Sequence, residues 1–428
     1  MTTASLLTLT PDEQAMLDGE RGAAVAMAMR LVAGVAGANR ATRLLEIESV
    51  HVDGCLYHGR AGLDFAERLA ELHGAVAVRT TLNVGSLDLL HPHLVHAGDE
   101  LASAGRRLMD AYVALGCEPT WSCAPYQISH RPAAGTHVAW AESNAIAFVN
   151  SVLGARTDRY GDFLDVAAAL TGRVPEAGLH LDHARRAELI LDCSAVSRRL
   201  LAEDTAWAAL GALLGDVAGT RVAALVGLPG DLDDEGTTED RLKALGATAA
   251  SAGGVALFHV VGVTPEAPNL AAVADDGAPS RQVTTADLRT ARDRLSTATG
   301  DRLDAVSLGT PHFSVSEFAA LAQEIGTGPR FADCVDVYVS TSRAVLAEAT
   351  RLGHVAPVEA AGARVLTDTC TYVTPVLAPD TRTVMTNSGK WAWYAPGNIG
   401  VETVLGSLAE CVASARAGRV ARDERLWE

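Results

Sequence analysis

Four short stretches carry the residue types that hold metals, grip carboxylates or move protons. The first is Ser122-Cys123-Ala124-Pro125-Tyr126. The second runs Trp140-Ala141-Glu142-Ser143-Asn144 and continues through Asn150-Ser151 to Gly154-Ala155-Arg156-Thr157. The third is Thr367-Asp368-Thr369-Cys370, and the fourth is Asn387-Ser388-Gly389-Lys390-Trp391. Cys123 precedes Ala-Pro and Cys370 follows Asp-Thr. Both are loop contexts from which a thiolate can point into a cleft, and thiolates hold iron–sulfur clusters. Arg156 offers a planar fork matched to a carboxylate, with Ser143 and Asn144 as companions. Lys390, beside Ser388, could bind a carboxylate or transfer a proton with a depressed pKa. Glu142, and His312 within Gly309-Thr310-Pro311-His312, complete the acid–base candidates.

Each has a bland reading beside it. A free cysteine is commonly a small buried hydrophobe, and that is the reading for Cys117, Cys193, Cys334 and Cys411, with Cys55 left open. A glutamate before a helix serves the helix dipole. Arg156 could be a salt-bridge partner, and a lone histidine such as His312 is often structural.

The elements that would position these groups alternate. Thr10-Pro11-Asp12-Glu13 marks an N-cap, a first-turn proline and a capping-box glutamate, so a helix starts there and stops near Gly19. A second helix is expected over 21–36, a strand over 44–52, a helix over 63–72 and a strand over 75–78. The C-terminal third repeats the pattern. Strands are expected over 305–308, 335–339, 364–367 and 383–385, and helices after Ser314, over 340–352 and over 401–413. This is βαβ grammar, so the fold class is α/β, with parallel or mixed sheets covered by helices. In such folds ligands sit at the carboxyl ends of strands, and the polar clusters fall there. The middle, 135–185, reads largely helical. The segment 227–239 is the best exposed loop. Boundaries near 125 and 230–300 divide 1–428 into two or three intertwined α/β subdomains.

Composition narrows the function classes. The chain of 428 residues is 48% hydrophobic and 20% charged, with 35 basic against 52 acidic side chains, a net −17. That suits a sizeable core and argues against a phosphate-backbone partner. The apolar stretch 247–263 is short for a membrane span and broken by glycines; a buried strand with a Gly-rich lead-in is expected. No basic leader precedes the first helix. Seven cysteines without a CxxC pair point to reduced thiols and the cytoplasm.

These blocks together resemble the large, catalytic part of the aconitase X family. The resemblance starts at LTPDEQAMLDGERGAAVAMAM and includes DGCLYHGRAGLDFAERL, TTLNV, ESNA, NSVLGART and DTC. It ends in NSGKWAWYAPGNIGVETVLGSLAECV. It implies an aconitase-like layered α/β fold and a hydro-lyase that dehydrates a small hydroxy acid at an iron–sulfur centre. It implies metal ligation by Cys123 and Cys370 with Thr310, substrate binding by Ser143, Asn144, Arg156, Asn387 and Ser388, and catalysis by Lys390, His312 and Glu142. Many two-chain relatives carry Cys where this chain has Thr310. A hydroxyl is a weak iron ligand, so a 2Fe-2S cluster is favoured over 3Fe-4S or 4Fe-4S, with mononuclear iron open. A second departure is His183, where relatives carry an acid. The family acts with a small swivelling domain or subunit, so a heterodimer with a partner of about 130–150 residues is expected.

Two activities are known in the family, on cis-3-hydroxy-L-proline and on mevalonate 5-phosphate. Tyr160-Gly161-Asp162-Phe163-Leu164-Asp165 and Thr310 resemble the hydroxyproline branch. GxGxxG and GxxxxGK[ST] phosphate loops are both missing. A cluster-free, non-enzymatic homologue is the remaining alternative.

Overall fold

Runs such as Val337-Tyr338-Val339 and Thr383-Val384-Met385 suit a sheet covered on both faces, because successive side chains point to opposite sides. In the computed structural model, which describes residues 7–229 and 235–428, such runs build parallel sheets. The chain divides into two compact units, Met1–Leu87 with Ala97–Arg186, and Asp88–His96 with Ala187–Glu428.

The first unit centres on three parallel strands in the order Arg79–Leu82, Ser49–Val52, Ala139–Trp140. The strand expected over 44–52 is two strands. Leu44–Glu46 pairs antiparallel with Arg173–Pro175, and Ser49–Val52 joins the parallel sheet. Between them Ile47 and Glu48 donate to the carbonyls of Gly172 and His137, so the ladder changes partner there. The strand expected over 75–78 starts later for a similar reason: Val76 and Ala77 donate to Leu115 and Ala169 outside the sheet. The first helix, Pro11–Asp18, carries its capping box and ends on Gly19 at φ +90°. The middle is less helical than expected. Helices Ser143–Ser151 and Leu164–Thr171 lie between strands Ala139–Trp140 and Arg173–Pro175.

The second unit holds two parallel sheets. One has the order Phe258–Val260, Ala223–Val226, Leu189–Asp192, Ser280–Gln282. The other has the order Ala363–Leu366, Asp336–Thr341, Ala305–Phe313, Thr383–Thr386, Glu402–Leu405. Its alternation is visible in the packing. Val306, Val337, Val339, Val365 and Met385 join one apolar core, and Ala305, Tyr338, Leu366 and Val384 the other. The helix expected over 401–413 is corrected. Thr403 and Val404 extend the sheet as a parallel edge strand, and the helix Leu408–Ala417 begins only after the Ser407/Glu410 capping box. The stretch 247–263 is likewise the end of helix Glu235–Ala252 followed by the short buried strand Phe258–Val260. That helix lies close against Asp204–Ala218. A Cβ on Gly253 would strike the backbone of Gly215, so glycine permits the approach. The loop expected over 227–239 is corrected at its end, where 235–239 open the helix Glu235–Ala252, and its residues 230–234 lie outside the described ones.

Among the described residues no single helix is long and apolar enough to cross a membrane. The pair Pro11–Asp18 and Ala23–Ala38, bent by 117°, passes that test only jointly. Ala24, Ala28, Met29, Val32 and Ala36 of the longer helix are buried in the first unit.

Candidate functional site

In the first unit, Cys123 is buried in the loop between helix Asp99–Ala114 and strand Ala139–Trp140, where Ser122 N–H donates to the Leu82 carbonyl at 3.1 Å. Asn144 holds this loop from the first turn of Ser143–Ser151. Its amide donates to the Cys123 carbonyl and to Tyr126 Oη, each at 2.9 Å. Glu142 caps that helix, accepting from Ala145 N–H at 2.7 Å, and Ser143 Oγ donates to its other oxygen at 3.2 Å. Arg156 turns its fork onto the Asp182 carboxylate at 2.5 Å and the His180 carbonyl at 3.0 Å. Arg156 keeps the Asp182 carboxyl below its ordinary pKa. His183, the departure from the family pattern, is exposed.

Sequence reasoning missed two first-unit groups. Arg185 is buried and bonds Asn150, Leu179 and Ala155, stapling the second motif to itself. His51 is fully buried on Ser49–Val52. Its Nδ1 meets Thr81 Oγ1 at 2.8 Å, and its Nε2 has no hydrogen-bond partner. Burial pushes its pKa down to about 4, against the opposing pull of Glu142. A histidine inside a strand, away from the four polar motifs, gave no signal.

The second unit gathers Thr310, His312 and Cys370 around strand ends. Strand Ala305–Phe313 pairs with Asp336–Thr341 up to Leu308 and again at Phe313, with a register shift between. Gly309 enters this break at φ +84°, and a Cβ there would strike the Ser340 backbone. Thr310-Pro311 is a cis peptide. Ser388 Oγ donates to the Thr310 carbonyl, while also capping helix Gly389–Asn398 through Trp391 N–H at 3.0 Å. Lys390 is buried on that helix's first turn. Asn387 donates to Asp204 at 3.3 Å. Asp204 is half-buried, and desolvation raises its pKa to about 6.

His312 is fully buried, with Nε2 at 3.1 Å from the Thr369 carbonyl. A carbonyl only accepts, so Nε2 carries the proton and Nδ1 keeps the lone pair. A ring nitrogen of His312 and the Cys370 Sγ lie within 4.8 Å of each other. The Thr310 hydroxyl is buried without a hydrogen-bond partner. A thiol, an imidazole oriented by a backbone carbonyl and an unused hydroxyl suit a thiophilic metal. This donor set gives His312 a ligand's placement as well as the catalytic one expected.

The loop carrying Cys370 is tightly held. Thr371 Oγ1 meets Ser307 Oγ at 2.6 Å and Trp391 Nε1 at 2.8 Å. Asp368, at φ +64°, is gripped by both Arg343 nitrogens at 2.7 and 2.6 Å. Asp88, which sequence reasoning passed over, accepts from Thr367 N–H at 2.9 Å and Thr367 Oγ1 at 3.0 Å, and from the N–H groups of Leu90 and His91. Asp88→Ala leaves the buried Thr367 donors unsatisfied and is expected to cost about 2–4 kcal/mol, read as a lower urea midpoint. An unchanged midpoint would mean that water replaces the carboxylate there.

The other cysteines are sorted by their surroundings. Cys55 sits 3.3 Å from the Asn83 carbonyl, and burial raises its thiol pKa strongly. Burial raises Cys117 and Cys193 to about 12, and raises Cys411 strongly. These are protonated, packed thiols. Cys334 is corrected: it is exposed, in the turn before strand Asp336–Thr341, not buried. All seven thiols are free.

Three family models match in succession: Aconitase X first domain over 6–183, second domain over 187–293 and third domain over 303–417. A cis-3-hydroxy-L-proline dehydratase from Pseudomonas aeruginosa is 42% identical over 97% of this chain and 71% of its own length. A phosphomevalonate dehydratase large subunit from Methanothermobacter thermautotrophicus is 38% identical over 92% of this chain and 94% of its own. The crystal structure of Thermococcus kodakaraensis aconitase X in its holo-form superposes with a TM-score of 0.84 at 31% identity, covering 96% of this chain and 100% of that one. Matched along nearly its whole length in sequence and in architecture, the chain belongs to the aconitase X family and is a hydro-lyase.

Proposed function

We infer that the chain dehydrates cis-3-hydroxy-L-proline to a pyrroline-2-carboxylate, at an iron–sulfur centre held by Cys123 and Cys370 with Thr310, together with a small swivelling partner. The carrying observation is the 42% identity over 97% of the chain to a dehydratase of that substrate. A 2Fe-2S cluster is the favoured form, since Thr310 offers a hydroxyl and not a third thiolate.

The reaction removes the α-proton to a base and breaks the C3–O bond, so that hydroxide leaves as water. The enamine then takes a proton and becomes the cyclic imine. Bound iron supplies the Lewis acid that makes hydroxide a competent leaving group. The chain's own residues do the rest. Lys390, His312 and Glu142 are the proton-transfer candidates. Ser143, Asn144, Arg156, Asn387 and Ser388 are assigned to holding and orienting the substrate. Arg156 must exchange Asp182 for the substrate carboxylate, and that carboxylate is exposed enough to yield. Arg156→Lys is expected to lower kcat/KM by about 30- to 1000-fold, equivalent to about 2–4 kcal/mol, because a point charge cannot reproduce the fork. Unchanged kinetics with a lower melting temperature would assign Arg156 to structure alone.

Phosphomevalonate dehydration is the second reading, favoured by the 94% coverage of that large subunit's length. Its relatives' names also support a separate small subunit for this chain. The test is to purify the chain without oxygen, add candidate small subunits, and follow each substrate by NMR. Hydroxyproline turnover dependent on the partner is expected. Turnover of phosphomevalonate alone would overturn the substrate, activity without a partner would overturn the heterodimer, and a colourless chain without iron would overturn the cluster.

A further inference from the structure

Residues 309–312 lie outside the strand ladder, between the pairings at Leu308 and Phe313. Hydrogen bonds that involve side chains therefore hold their conformation. Ser388 Oγ holds the Thr310 carbonyl, and the Thr369 carbonyl holds the His312 ring. The His312 carbonyl accepts from Lys243 Nζ at 3.4 Å.

Lys243 comes from helix Glu235–Ala252 and is buried. Its other partners are Asp240 at 3.1 Å and the Glu317 carboxylate. An ammonium has three donors, and these three acceptors use them all. The two acids continue the clamp. Glu317 accepts from Ser314 N–H at 2.8 Å, and Asp240 accepts from Ser314 Oγ at 2.9 Å and Ser316 Oγ at 2.5 Å. The whole group fixes the turn that follows His312. It borders a cavity of about 260 Å³ that Thr310, Asn387 and Ser388 also line. Burying an ammonium is costly unless it is fully paired, so this lysine is an expensive way merely to fill space.

We propose that Lys243, with Asp240 and Glu317, is a positioning residue that sets where Thr310 and His312 stand. This rests on the reading that places those two in the reactive site. Replacing Lys243 alone would strand two half-buried acids, so the informative variant is neutral throughout: Lys243→Met with Asp240→Asn and Glu317→Gln. It is expected to keep its melting temperature near that of the parent, with KM little changed and kcat about 10- to 100-fold lower, the usual effect of removing a group that orients a ligand. Lys243→Arg should recover part of the loss. In the chain without cofactor, the ¹⁵N ring signals of His312, assigned with His312→Gln, should shift in the neutral variant and return toward the parent position in Lys243→Arg. Parent-like kcat together with an unmoved His312 signal would overturn the proposal. If the parent turns over neither substrate, the proposed function fails, and the His312 signal alone decides for or against Lys243.

Discussion

Cys370→Ser is expected to leave no measurable turnover and, if the proposed iron–sulfur centre is held there, a chain without visible cluster absorption. The exchange swaps a soft thiolate for a hard hydroxyl, and soft ligands are what retain iron–sulfur clusters. Lewis-acid assistance to a leaving hydroxide supplies several kcal/mol, so its loss is worth about a thousandfold or more in rate. Cys123→Ser is expected to do the same. The fold should survive Cys370→Ser, because Thr371, Asp368 and Thr367 beside it keep their own partners. Cys334→Ser, on the exposed turn, and Cys193→Ser are the controls and should keep iron and rate. Full iron and activity in both Cys123→Ser and Cys370→Ser would remove these residues from the centre.

Acid should loosen the first unit through its neutral histidines. His51 has a folded pKa of about 4, and His180 one of about 3. Desolvation is the largest cause for both, and His137, Arg185 and Arg156 add to it for His180. His180 is wedged between Tyr160 Oη at 2.6 Å and His137 Nδ1 at 3.0 Å. An unfolded histidine takes its proton near 6.5, so below that pH the unfolded chain binds more protons than the folded one. The stabilisation is complete above 6.5 and drains as pH falls toward the folded values. It amounts to about 3 kcal/mol for His51 and up to about 5 kcal/mol for His180. Asp165 in the same unit works the other way. Burial raises its pKa to about 6, so it favours the folded state as it protonates. The clean measurement is therefore a difference. Urea midpoints between pH 7 and 4 should fall less steeply for His51→Gln than for the parent, by up to one proton's worth of slope. Parallel curves would mean that His51 is already solvated or charged in the folded chain.

The strands of the C-terminal sheet were legible because both of their faces are apolar, so a short run of valines suffices to mark them. Residues 401–405 misled for the same reason: Val-Glu-Thr-Val-Leu fits a helix start as well as an edge strand, and only pairing with Thr383–Thr386 decides. The 44–52 run hid a change of ladder partner, which depends on residues over a hundred positions away. Cys123, Cys370, Ser388 and Asn144 stand out as candidates in the sequence because they lie inside dense polar motifs. Asn144's hold on the Cys123 loop was not, since spacing cannot reveal a backbone carbonyl as partner. Lys243 was invisible. On a helix beginning Glu-Gly-Thr-Thr-Glu-Asp it reads as a solvated surface charge, and only the packing of three acceptors around it shows otherwise.

The bond between Asp88 and Thr367 spans 279 positions. At about 5–20 residues per second, a ribosome takes roughly 14–56 seconds to travel between them. The aspartate therefore emerges long before its donor loop exists, and residues 97–186 of the first unit are made in the interval. The cysteine loop of the second unit closes on a strap made in advance by another part of the chain. A fragment starting at Ala187 would lack that strap, and a peptide spanning residues 88–96, added in trans, is what could restore it.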